Sequence, residues 1–141
     1  VAMYNTTLVH KLQVVQNKLL RVLTKKDPQY STNALHRELN LFKHSDNRDM
    51  FIMHFVFNCI KGKPIENFKN YLKFRETIHN HDTRGISQLI RPQIRTETGR
   101  STVKFSGATL WNNLPAQIRN INSFPAFKRA LQSHYRQKYR I

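Results

Sequence analysis

The sequence predicts a mainly α protein: a small helical domain with a β-hairpin near residues 88–105 and a C-terminal helix. Three observations predict it. Apolar residues recur at three-and-four spacing over residues 7–26, a run after residue 49 is apolar on nearly every side, and short β-tolerant segments replace helical periodicity after Arg84-Gly85. The expected division is 1–82, a helical part with a buried central helix, and 83–141, a basic hairpin plus C-terminal helices, together forming one compact unit. At 141 residues the chain is long enough for one domain with one modest core.

In residues 7–26, Leu8, Leu12, Val15, Leu19, Val22 and Leu23 share one helical face, which the pattern assigns to the core. Lys11, Lys18, Arg21 and Lys25 form a second stripe, either a solvated face or a nucleic-acid contact. Thr6 or Thr7 can cap the start, and Asp27-Pro28 stops the run, because the residue before proline is pushed out of helical geometry. Ser31-Thr32 opens a short second helix through Leu35 to Leu39. Ser45 or Asp46 then caps a third, Asp49 to Ile60, whose middle "MFIMHFVFNCI" marks it as the buried central helix. His54 and Cys59 lie within it but not on one face, so His54 reads as a satisfied core histidine rather than a ligand. Gly62 and Pro64 end the helix, and Ile65, Phe68, Tyr71, Leu72 and Phe74 supply a further apolar cluster.

Beyond Gly85, "ISQLIRPQIR" is broken at Pro92, and "TETGRSTVKF" combines a Thr-Gly turn with alternating Thr102, Val103, Lys104 and Phe105. A strand–turn–strand over 88–95 and 101–105 is the expectation. Ser106 is expected to cap a short helix ending before Pro115, and Ser123 the last helix. There Phe124, Phe127, Leu131 and Tyr135 face inward, with Lys128, Arg129, Arg136 and Lys138 elsewhere.

Charge narrows the partner. Lys and Arg number 24 against 8 acidic residues, a formal +16. Residues 1–82 carry 13 basic and 7 acidic groups, whereas residues 83–141 carry 11 basic groups and one acid, Glu97. So many like charges repel one another unless a polyanion screens them, and nucleic acid is the expected polyanion. No apolar run approaches the length that spans a bilayer, so no membrane partner is expected. The single cysteine, Cys59, excludes an intramolecular disulfide and a Cys-rich zinc site. It fits a reducing compartment, nucleus or cytoplasm. A start at Val1 with no basic-then-apolar leader gives the expectation of a fragment or excised domain.

The stretch "HNHD", His79 to Asp82, spells a metal-dependent nuclease signature without supplying one. Such a site draws its ligands from separated elements that converge on one ion, which four consecutive residues cannot do. Polymerase chemistry requires paired carboxylates holding two metal ions, and the eight acids are scattered with no Asp-Asp pair. No Gly-rich phosphate loop and no activated nucleophile is present. The chain itself is therefore expected not to be an enzyme, and no cofactor or metal is expected.

"GRSTVKFSGATLWNNLPAQIRNINSFPAFKRAL" resembles the C-terminal tail of reverse transcriptases from non-LTR, LINE-type retrotransposons of the jockey-like groups. The matching positions are Gly99, Phe105, Gly107, Leu110, Trp111, Asn112, Leu114, Pro115, Ile118, Arg119, Ser123, Phe127 and Lys128. Upstream, "LQVVQNKLLRVL" is similar to the helix after the polymerase core. "HNHDTR" resembles the family's His-Asn-x-x-Thr-Arg at His79, Asn80, Thr83 and Arg84. The resemblance covers nearly the whole chain. It implies the thumb-proximal region after the polymerase of an RNA-directed DNA polymerase, whose catalytic aspartates lie in an earlier domain of the same polypeptide. RNA, DNA or their hybrid would be the ligand.

Arg84, Arg91, Arg95, Arg100 and Lys104, on and around the expected hairpin, are the candidate phosphate contacts, with Arg119, Lys128 and Arg129 added from the C-terminal helices. Arginine forks grip phosphate oxygens bidentately, and nothing in the set spells a base-reading helix, so backbone binding is expected. Trp111, set between Leu110 and Leu114, reads as a core anchor rather than a base-stacking platform. The competing expectation is a structural buttress whose apolar helices support a polymerase core, with the charges merely solvated.

Overall fold

The computed structural model describes residues 6–62, 66–75 and 88–139. Helices dominate: α1 (Thr6–Thr24), α2 (Thr32–Glu38), α3 (His44–Ile60), the single-turn α4 (Glu97–Arg100), α5 (Val103–Asn113), the single-turn α6 (Ala116–Arg119) and α7 (Phe124–Gln137). A 3-10 turn covers Glu66–Phe68.

α3 is the hub, with α1, α5 and α7 packed around it. Its Met50, Met53, Val56 and Phe57 join Leu89, Ala108, Trp111, Leu114, Phe127, Leu131 and Tyr135 in one buried cluster. Both halves of the chain thus share a single core. Phe57 stacks on Phe127 at 4.6 Å between centroids, and Trp111 lies 5.9 Å from the same ring. Trp111 is a core anchor, with 2% of its surface exposed. α5 approaches α3 through Gly107 and Ala108. A Cβ built on Gly107 would sit 2.8 Å from Val56 Cγ2, so only glycine permits this approach.

The expected β-hairpin is absent, and the described residues contain no strand. Thr96, read as part of a hairpin turn, instead caps α4, its hydroxyl accepting from Gly99 N at 3.2 Å. Thr102 takes the N-cap position of α5, so Val103, Lys104 and Phe105 are the first helical turn and not a strand. Four alternating residues cannot separate a period of 2 from one of 3.6, and burying Gly107 and Ala108 against α3 decides for the helix. Residues 88–90 are extended, but their partner lies upstream. Arg75 N donates to Gln88 O (2.9 Å) and Ile90 N to Lys73 O (2.8 Å), around an isolated antiparallel bridge between Phe74 and Leu89.

The helix starts also differ in detail. α3 begins at His44, with Lys43 at the N-cap, and Asp46 falls in its first turn, where negative charge is favoured. Asp46 is buried and accepts from the Tyr139 hydroxyl and from Lys138 Nζ (3.2 Å), tying the end of α7 to the start of α3. Ser31 caps α2 as expected. His54 is not a satisfied core histidine: it packs edge-on to Phe51 and Phe124, and its Nε2 has no partner among the described residues.

The largest departure is α1, which docks by its polar side. His44 N donates to Gln13 Oε1 (2.8 Å) and Gln16 Oε1 (3.0 Å), while Gln16 Nε2 donates to Phe42 O (3.1 Å). Asn17 Oδ1 lies 3.3 Å from His36 Nε2, and Arg21 Nη2 donates to Tyr30 O at 3.2 Å. Leu20 is the one buried apolar residue of the helix, among those described. Leu8, Leu12, Val15, Leu19, Val22 and Leu23, expected in the core, are each more than half exposed. The loop between α2 and α3 presents a backbone carbonyl and amide that need partners, and the amide side chains supply them.

Candidate nucleic-acid interface

The candidate site grows from the extended segment before α4. Asn112 of α5 faces Leu89 and closes two bonds on it: Oδ1 accepts from Leu89 N (2.8 Å) and Nδ2 donates to Leu89 O (2.9 Å). Leu89 is fully buried, so this clasp satisfies the amide and carbonyl that a lone bridge residue would leave to find other partners. Arg91 and Arg95 follow on the exposed continuation. Gly99 then lets α4 fold back over Ile94, whose Cγ2 lies 2.2 Å from where a Cβ on Gly99 would stand. That turn brings Arg100 beside Arg95.

Two adjoining concavities result, sharing Arg95 and Arg100. The more open one is lined by Arg75, Arg91, Gln93, Arg95, Arg100 and Phe105. Its neighbour, about 500 Å³, is lined by Arg48, Ile52, Arg95, Glu97, Arg100, Ser101 and Ser106. Four arginines, Arg75, Arg91, Arg95 and Arg100, therefore border the more open concavity, and Arg48 joins Arg95 and Arg100 at its neighbour, whose wall holds the single acid Glu97. Among the described residues, Arg75, Arg91, Arg95 and Arg100 make no ion pair with a carboxylate, whereas Arg48 pairs with Asp49 at 2.7 Å. Arg100 Nε donates weakly to Ile94 O at 3.4 Å. A guanidinium fork with no carboxylate partner is able to hold two oxygens of one phosphate or carboxylate.

The other expected contacts are distributed differently. Lys104 borders an adjacent hollow with Tyr71, Lys73, Ile90 and Pro92, its ammonium 5.6 Å above the Tyr71 ring. Arg119 is half-buried on α6, its carbonyl held by Lys61 Nζ at 2.5 Å. Lys128 lies on the far side of α3. Its charge helps push the His54 imidazole below its ordinary value, behind the larger effect of burial. His54 follows Ile52 by two positions, about 200° around the helix axis. Arg129 turns back on its own helix, Nε to Pro125 O at 3.4 Å. The cations after residue 82 therefore do not share one surface: Arg91, Arg95 and Arg100 gather, Lys104 adjoins, and Arg119, Lys128 and Arg129 stand apart. Arg84, with the whole His79–Arg84 stretch, lies outside the described residues.

Sequence reasoning missed Arg48 and Arg75. Arg75 carried a signal, the alternation of Leu72 and Phe74 with Lys73 and Arg75 that marks an extended, half-buried segment. Arg48 stands one helical turn before Ile52, a position recognisable only once α5 is seen to pack on α3 and α4 on α5. Among the described residues no group of three or more His, Cys, Asp or Glu could hold a metal ion, and no helix is long and apolar enough to cross a membrane. Compared with known proteins, the chain matches no family model, no curated protein and no solved structure.

Proposed function

We propose that this chain is the C-terminal, nucleic-acid-binding region of a non-LTR, LINE-type retrotransposon reverse transcriptase, gripping the backbone of RNA, DNA or their hybrid. The observation that carries the binding reading is the open depression bordered by Arg75, Arg91, Arg95 and Arg100. Its mechanism is phosphate neutralisation with release of counterions, with little dependence on base sequence. The family assignment rests on the motif around Trp111. The packing gives that motif a physical meaning: Trp111 and Leu114 anchor the core, Asn112 clasps Leu89, and Gly107 sets the approach of α5 to α3. In this reading catalysis belongs to the upstream polymerase domain of the same polypeptide, and this region contributes grip alone.

The test is binding of labelled RNA, DNA and hybrid oligonucleotides by the chain and by Arg95→Ala/Arg100→Ala. Removing both forks should weaken binding about tenfold or more at low salt, on every sequence tried. Unchanged binding by the double variant would move the site elsewhere. A chain that binds none of the three would favour a second reading, a structural buttress for the polymerase core. The exposed apolar face of α1 is the observation that supports that alternative.

A further inference from the structure

Leu8, Leu12, Val15, Leu19 and Val22 step alternately by four and three residues, the spacing of a coiled-coil seam. The polar side of α1 is committed to the loop before α3, so the seam faces outward, with Val22 73% exposed. Lys11 and Lys18 stand one heptad apart along a single flank. The opposite flank runs into Gln16 and the body of the protein.

We propose that α1 is a docking face for an acidic amphipathic helix of a partner polypeptide, which lays its apolar stripe on this seam and sets Glu or Asp side chains against Lys11 and Lys18. Charge complementarity selects that occupant. A second copy of this chain offers no acids to these lysines: paired antiparallel, lysine faces lysine, and paired parallel, Lys11 and Lys18 face Gln16 and Leu23. Each copy would also bring a formal +16 to the contact. α7 contains no acid, and Asp46 and Asp49 of α3 are engaged by Tyr139, Lys138 and Arg48. A lipid surface fits less well. The seam consists of Leu and Val alone, with no aromatic residue to sit among headgroups, and its cations line one flank only. The proposal is independent of the nucleic-acid reading, because none of these residues borders the arginine depression.

The test is fluorescence anisotropy of the full chain with a labelled three-heptad peptide carrying Leu along its seam and Glu on both flanks. A matched peptide with Lys in place of Glu serves as the comparison. The Glu peptide should bind about tenfold or more tightly than the Lys peptide. Leu19→Glu should abolish that binding without changing the melting temperature, and Lys11→Glu/Lys18→Glu should reverse the preference. Arg95→Ala/Arg100→Ala should leave it unaltered, which separates failure here from failure of the nucleic-acid reading. Equal affinity for the two peptides, no binding, or binding that survives Leu19→Glu would overturn the proposal. So would a dimer abolished by Leu19→Glu, or preferential adsorption to phosphatidylserine vesicles.

Discussion

Asn112 shows how one side chain can serve both fold and site. Its carboxamide donates and accepts in one plane at the same time, which is what the Leu89 peptide groups require. Asn112→Ala leaves a buried N–H and a buried C=O without partners and should cost about 2–4 kcal/mol in urea denaturation. Asn112→Asp should recover little, because a carboxylate cannot donate to Leu89 O. Both variants should also weaken oligonucleotide binding, since the clasp fixes the segment that carries Arg91 and Arg95. Buried His36 and half-buried His54 give a second residue-scale expectation. Burial holds His36 below its ordinary value near 6.5, against a smaller upward pull from the Leu41 carbonyl, and burial with Lys128 does the same to His54. The unfolded chain therefore takes up protons before the folded one as pH falls below that value. This contribution to stability is complete above about pH 6.5 and is lost progressively below it. Melting temperature should drop between about pH 7 and pH 5.5, and His36→Gln/His54→Gln should flatten the slope relative to the native chain.

Among the elements, α3 and α7 were legible in the sequence, and α1 and the arginine segment only in part. A run apolar on nearly every side takes the centre as α3, burying Met50, Met53, Val56 and Phe57, but Phe51 on its outer side stays 73% exposed. In α7, Phe127, Leu131 and Tyr135 occupy the core as their spacing requires, whereas Phe124, expected inward, is 36% exposed at the helix start. For α1 the periodicity gave the helix but not its orientation. The hydrogen-bonding demand of Phe42 O and His44 N outweighs the apolar stripe, and that demand depends on how α2 and α3 are joined. The segment 88–105 failed for a different reason: too few alternating residues to fix a period, and a decisive contact, Gly107 on Val56, that belongs to tertiary structure. That contact is itself testable. Gly107→Val must push α5 away from α3 or displace Val56, and should destabilise the protein by on the order of 2 kcal/mol. A wild-type denaturation midpoint for that variant would mean α5 approaches α3 less closely than described.

On the scale of the whole molecule, two features use different residues: the extended segment and α4 assemble guanidinium groups, while α1 leaves an apolar seam flanked by Lys11 and Lys18. Net charge alone forecast a polyanion partner but not this division, because counting cations along a chain says nothing about which side of a helix they occupy. The central claim is that the arginine depression neutralises several phosphates at once. It is tested most directly by the salt dependence of oligonucleotide affinity, compared between the native chain and Arg95→Ala/Arg100→Ala. The account expects a linear log–log plot with a slope of about −0.7 to −0.9 for each phosphate engaged, so that losing two forks makes it shallower by about 1.5. Parallel lines for the two proteins, or an affinity indifferent to salt, would contradict it.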